Sequence, residues 1–115
     1  MEELSGYEHE AIATIALSDA QRDIVLAQLA KATCISRDYT GVGLYTELYV
    51  DPSAPKLDEA RWKIEDMPKG HAYHPDLPAG AGLILWVKDG YISCLESYTY
   101  EGGWPQDESL FRLAA

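Results

Sequence analysis

Glu96 raises the sharpest chemical question in the chain. Residues 91–98 read as a β-strand paired with residues 83–87 across Asp89-Gly90, a dipeptide suited to a two-residue hairpin turn with positive φ. The simplest register sets Lys88 opposite Tyr91, Val87 opposite Ile92, Trp86 opposite Ser93 and Leu83 opposite Glu96. Glu96 then shares a face with Leu83, Leu85, Val87, Ile92 and Cys94. A lone carboxylate among apolar side chains costs several kcal/mol or takes up a proton, so Glu96 needs a partner, a place at the sheet rim, or a different register. Its candidate partners are Arg37, Arg61, His71 and His74. A paired, anchoring carboxylate is the favoured reading, with no catalytic residue assigned. The alternative is a small-ligand site or a hydrolase-like enzyme in which Glu96 works with His71 or His74 as acid and base.

Other reactive residues lack the spacing their chemistry needs. His71 and His74 form H-x-x-H near Asp76, but helical zinc motifs place ligands at i, i+4 and add a third, and Pro75 disfavours a helix there. No metal site and no cofactor is assigned. Cys34 and Cys94 stand sixty positions apart, outside any C-x-x-C pair, and read as reduced, buried thiols. Gly41-Val42-Gly43 and Gly80-Ala81-Gly82 open no helix and precede no Lys-Ser or Lys-Thr, so close backbone packing explains them better than phosphate binding. No G-x-S-x-G elbow offers a serine nucleophile. The aromatic residues are more suggestive. Trp86, Tyr91, Tyr98, Tyr100 and Trp104 fall within nineteen positions, and tyrosine and tryptophan are the types most enriched among interface anchors. Tyr98, Tyr100 and Trp104 are the candidate binding residues.

The elements that must position these groups follow from periodicity. Residues 8–17 carry Ile12, Ile15 and Ala16 at helical spacing. Ser18 and Gln21 read as a capping box that opens a second helix over 19–32, with Val25, Leu29 and Ala32 inward and Asp23, Gln28 and Lys31 outward. Residues 42–50 alternate as a strand, with Val42, Leu44, Leu48 and Val50 on one face and Tyr45, Glu47 and Tyr49 on the other. Residues 33–39 pair with it across a turn near Thr40-Gly41, and the tyrosine face is expected to be covered. Five of six prolines lie between 51 and 80. That region is read as a short strand at 61–65, with Trp62 and Ile64 inward, and otherwise as a loop carrying His71 and His74. A terminal segment, 107–113, carries Leu110, Phe111 and Leu113.

Composition bounds the function. With 115 residues, 47% of them hydrophobic, the chain is long enough for one core and is read as one α+β domain over 1–115. Its net charge of −10, spread as −5 over residues 1–50 and −5 over the rest, is the wrong sign for sequence-independent binding to nucleic acid or to an anionic membrane. No apolar run approaches a membrane span, and the acidic start Met1-Glu2-Glu3 does not resemble a secretory signal, so a cytoplasmic protein is expected.

The stretch from Leu77-Pro78-Ala79-Gly80-Ala81-Gly82 to Trp104-Pro105 resembles a family of small uncharacterised bacterial proteins. Their pattern combines a glycine-led apolar strand, an acidic-Gly-aromatic turn, Leu-Glu-x-Tyr and Trp-Pro. Here it reads Gly82-Leu83-Ile84-Leu85, Asp89-Gly90-Tyr91, Leu95-Glu96-Ser97-Tyr98 and Trp104-Pro105. Tyr39-Thr40-Gly41-Val42-Gly43 is similar to a second segment of those proteins. The resemblance implies a stand-alone α+β domain of a bacterial cytosol and no established activity. Some proteins of similar size, charge and architecture are immunity proteins that block a toxin, an analogy at the level of fold alone. The expected architecture is an N-terminal helix or helix pair on an antiparallel sheet centred on the 83–87/91–98 hairpin. The expected function is a non-catalytic module that binds a basic protein partner. Homo-oligomerisation through the tyrosine face of 42–50 is compatible with it.

Overall fold

A computed structural model describes residues 1–17, 19–58 and 69–114. The first helix, α1 (Gly6–Ala16), starts at a reciprocal capping box two residues before the expected span. The Ser5 hydroxyl accepts the Glu8 N–H at 3.1 Å, and the Glu8 carboxylate accepts the Ser5 N–H at 2.7 Å. Ile12, Ile15 and Ala16 are fully buried, as their spacing predicts.

The second helix, α2 (Arg22–Leu29), is shorter than 19–32. Asp19 accepts the Gln21 N–H at 2.7 Å in a turn before the helix, and Ala32 already belongs to the first strand. Ser18 lies outside the described residues. Gln21 occupies the N-cap without a side-chain capping bond, because its amide oxygen accepts the Asp58 N–H at 2.8 Å. Gln28 does not face away but is fully buried. Its amide donates to Pro55 O and Gly90 O, both at 2.8 Å, and accepts the Ile92 N–H at 2.9 Å. Three backbone groups near the hairpin turn thus find their partner on α2, which reverses the expected orientation.

The strands are β1 (Ala32–Tyr39), β2 (Gly43–Val50), β3 (Lys69–His74), β4 (Leu77–Lys88), β5 (Tyr91–Thr99) and β6 (Arg112–Ala114). They form one sheet in the order β1-β2-β5-β4-β3-β6, every neighbouring pair antiparallel. The β4–β5 hairpin is central, and Asp89 (φ 54°) and Gly90 (φ 85°) form its turn. Both helices pack on one face of this sheet, where Leu44, Leu83, Leu85, Ile92 and Leu95 complete the core, so the fold is α+β. Val42 is the exception to the expected face of β2. It sits in the turn before the strand and is 57% exposed.

The region expected to be a loop with His71 and His74 is instead β3. Its residues alternate strictly, Gly70, Ala72 and His74 inward, and Lys69, His71 and Tyr73 outward. The short residues facing inward carry little hydrophobic signal, which is why the alternation is faint in sequence. β4 likewise begins at Leu77, so Gly80-Ala81-Gly82 lies within a strand. The strand expected at 61–65 lies outside the described residues.

The hairpin register departs from the simplest one. Val87 pairs with Ile92 but Trp86 pairs with Cys94, so Ser93 is an extra residue on β5. This bulge shifts the rest of the ladder by one, and a one-residue slip exchanges the faces. Leu95 and Ser97 now point to the helices, whereas Cys94, Glu96 and Tyr98 point away from them. The apolar surroundings expected for Glu96 are thereby removed.

The buried carboxylate belongs to Glu8, not Glu96. Its side chain is fully buried, yet it accepts two 2.8 Å bonds from Arg37 on β1, a 2.7 Å bond from the Thr46 hydroxyl on β2, and the Ser5 N–H. Burial alone would raise its pKa. The bonds from Arg37, Ser5 and Thr46 outweigh that and hold the carboxyl below the usual range, while Glu8 in turn raises Arg37. A depressed folded-state pKa contributes stability that is complete above the unfolded value and is lost as pH falls through the folded one. We expect Glu8→Met to cost about 3–5 kcal/mol in urea unfolding at pH 7, because it removes the buried acceptor of Arg37, Thr46 and the Ser5 N–H and leaves Arg37 only Glu2 and the Glu3 carbonyl, and the double change Glu8→Met/Arg37→Met to cost less than the single one. A double variant no more stable than Glu8→Met would show that the pair does not act as a unit.

Candidate functional site

The face of the sheet turned away from the helices carries the chemistry-bearing side chains, and no described element lies over it. The pairing lays them out in rows across the strands. One row is Glu47, Cys94 and Trp86; the next is Tyr45, Glu96, Ile84 and Lys69; a third is Gly43, Tyr98, Gly82 and His71. Tyr45 and Tyr49 are 39% and 42% exposed, and Tyr73 and Tyr100 reach 57% and 50%. The tyrosine face of β2, expected to be covered, is therefore open among the described residues.

Glu96 is half-buried in this surface. It accepts the Trp86 indole N–H at 3.0 Å and a long 3.5 Å bond from the Tyr45 hydroxyl. The charge on Glu96 is the main cause that raises the Tyr45 pKa. Of the four partners expected for Glu96, Arg37 is engaged by Glu8 and Arg61 lies outside the described residues. His71 bonds the Tyr100 hydroxyl at 3.1 Å through Nδ1. It stands two strands from β5, roughly 10 Å at the usual strand spacing, with the Tyr98 ring lying across Gly82 in between.

His74 points to the opposite face. The Asp76 N–H donates to its Nδ1 at 3.0 Å, so Nε2 carries the proton and donates to Asp107 O at 2.8 Å. It is buried against Phe111. His71 and His74 therefore cannot share one metal ion or act together on one substrate. The cysteines are likewise divided. Cys34 lies on the helix side and Cys94 on the open side, both as free thiols. Burial, with Glu47 adjacent, pushes the Cys94 thiol up to about 12, which leaves it protonated and unreactive.

The three residues expected to bind a partner are split as well. Tyr98 and Tyr100 meet edge to face on the open side, ring centroids 5.6 Å apart. Trp104 packs on the helix side against Phe111 and Tyr7, with centroid distances of 5.0 and 5.8 Å. Its indole donates to Glu108 Oε2 at 2.7 Å. Tyr45 and Tyr49 join Tyr98 and Tyr100 as surface aromatics, consistent with their alternation in sequence. Tyr73 lies on β3, where the sequence predicts a loop.

The chain matches no protein-family model, no curated protein and no solved structure. Among the described residues no helix is long and apolar enough to cross a membrane.

Two glycines bracket Tyr98, and they differ in what they tolerate. A Cβ on Gly82 would come within 2.5 Å of the far end of the Tyr98 ring, which can swing aside. A Cβ on Gly43 would meet the Ser97 carbonyl, which is held in the sheet. We expect Gly43→Ala to cost about 1–3 kcal/mol in thermal unfolding, and Gly82→Ala under about 1 kcal/mol while shifting the Tyr98 ring resonances in NMR spectra. Equal losses, or an unmoved Tyr98 ring in Gly82→Ala, would contradict this arrangement.

Proposed function

We propose that this protein is a non-catalytic binding module of a bacterial cytosol. The open sheet face holds a basic protein partner, in the manner of an immunity protein on its toxin. The observation that carries this reading is the juxtaposition on one face of half-exposed tyrosines with Asp38, Glu47 and Glu96, in a chain of net charge −10. Tyrosine offers contact area with little side-chain entropy to lose, and acids among tyrosines favour lysine and arginine across an interface. The overall negative field speeds encounter with such a partner.

The sheet edges support a partner on the face. At one edge β1 is bulged between Cys34 and Ser36, and Glu2 bridges Cys34 through bonds of 2.9 and 2.7 Å. At the other, β6 is three residues long. Short, bulged or occupied edges resist addition of a further strand. The alternative reading, catalysis by Glu96 with His71 or His74, draws no support from this geometry, because those groups are apart and Glu96 is occupied by Trp86 and Tyr45. A second copy of the chain would carry the same net charge of −10, and that repulsion disfavours it.

Substitutions at Tyr49 and Tyr100 test the reading with little risk to the core, since both side chains are about half exposed. Trp104→Ala is a poorer probe because it opens the Tyr7–Phe111 cluster. The immobilised chain is expected to retain a basic protein from a lysate at low salt and release it as salt rises. Tyr49→Ser with Tyr100→Ser is expected to weaken that retention about 30-fold, the loss of a hot spot worth about 2 kcal/mol. Retention unchanged by the double substitution, or self-association in sedimentation that the substitution abolishes, would overturn it.

A further inference from the structure

On the helix side, at the end of the sheet, the β1–β2 turn and the segment after β5 form a small open pocket of about 320 Å³ lined by Tyr39, Gly41, Trp104, Pro105, Gln106 and Glu108. It lies apart from the tyrosines of the open face and is independent of the function proposed for them. Ligand pockets run from about 300 to 1,000 Å³, so this one suits a single group the size of a side chain.

Its walls are built and held. The Trp104 N–H donates to Gly41 O at 2.8 Å, which fixes one wall to the other. The Trp104 ring is backed by Phe111 and Tyr7. Glu108 begins a single 3₁₀ turn (Glu108–Leu110) that Asp107 caps by accepting the Ser109 N–H at 3.0 Å. Asp107 is itself fastened by the buried His74, whose Nε2 donates to its carbonyl oxygen at 2.8 Å. The Trp104 indole holds Glu108 Oε2 at 2.7 Å.

The pocket therefore presents a positioned carboxylate between two aromatic residues. Among the described residues no basic side chain forms an ion pair with Glu108. Burial and the Glu108 charge together raise the Tyr39 hydroxyl, so that group stays neutral beside it. A carboxylate flanked by tyrosine and tryptophan is the chemistry that recognises a cation bearing an alkyl stem, through charge at one point and apolar contact of the stem with the rings around it. A phosphate or carboxylate ligand would face Glu108 and is excluded by charge.

We infer that this pocket binds an alkylguanidinium or alkylammonium group, with Glu108 as counter-ion and Tyr39 and Trp104 as aromatic walls. The group is either the end of an arginine or lysine side chain or a free organic cation. Titration of the full chain with n-butylguanidinium, followed by the indole N–H resonances in ¹H–¹⁵N spectra, tests this. The Trp104 signal, identified by its loss in Trp104→Phe, is expected to shift saturably while that of Trp86 does not.

Glu108→Gln keeps an acceptor for the indole but removes the charge, and is expected to weaken binding about tenfold or more. Tyr39→Ala, at an exposed position, is expected to weaken it several-fold and serves if Glu108→Gln perturbs the turn. The neutral isostere n-butylurea is expected not to bind. Tighter binding of an arginine-containing tripeptide than of n-butylguanidinium would assign the cation to a polypeptide, and equal affinity to a free small molecule. No saturable Trp104 shift, or the same shift with n-butylurea, or in both Glu108→Gln and Tyr39→Ala, would overturn the inference.

Discussion

One buried carboxylate joins the start of the first helix to the sheet it covers. Glu8 has no exposed surface and is tied to two strands and to its own helix start. Such a charge is tolerable inside a protein only when its lone pairs are all engaged. The need to engage them ties the first turn of α1 to β1 and β2, while the body of the helix packs over β3, β4 and β6. Once it is docked, Ile12 and Ile15 enter the core, and Tyr7 reaches the Ser97 hydroxyl at 2.8 Å on β5. On the second helix the Gln28 amide performs a similar task at the hairpin turn. The two helices are thus positioned by polar groups with specific geometry, and the apolar side chains fill the space between.

The open face follows from this arrangement. Two short helices cover one side of six strands, and the side they leave is lined with residues that tolerate water on one edge and contact on the other. Tyr98 lies flat across Gly82, Trp86 is pinned by Glu96, and Tyr100 is met by His71. These contacts order the aromatic rings ahead of any binding, so a partner would meet a surface already arranged, and less entropy would be lost on association.

The architecture was largely legible in the sequence because its signals are local. The Asp89-Gly90 turn, the alternation of 42–50 and the helical spacing of Ile12 and Ile15 each correspond to an element that is present. What escaped depends on contacts distant in sequence. The bulge at Ser93 leaves no mark in the residue pattern, and it moved Glu96 from the core side to the open side. Glu8 and Arg37 are 29 positions apart, and nothing in either neighbourhood announces the other. Gln28 is polar, which predicts an outward position, although three backbone groups need its amide. β3 is faint in the sequence because Gly70, Ala72 and His74 form an inward face with almost no apolar signature, bounded by a proline on either side. For the same reasons, the grouping of Tyr98, Tyr100 and Trp104 by proximity in the chain placed together residues that the strand alternation and the break at Gly102-Gly103 send to different sides.

The account rests on Glu8 remaining ionised while fully enclosed. Following the Glu8 side-chain carboxyl carbon by ¹³C NMR through an acid titration measures that directly. The account requires a midpoint below about 4.3, the ordinary glutamate value, with the resonances of Arg37 and Thr46 shifting over the same interval. A midpoint at or above the ordinary value would mean that burial outweighs the bonds from Arg37, Thr46 and Ser5, and that this ion pair does not fasten the start of α1 to the sheet.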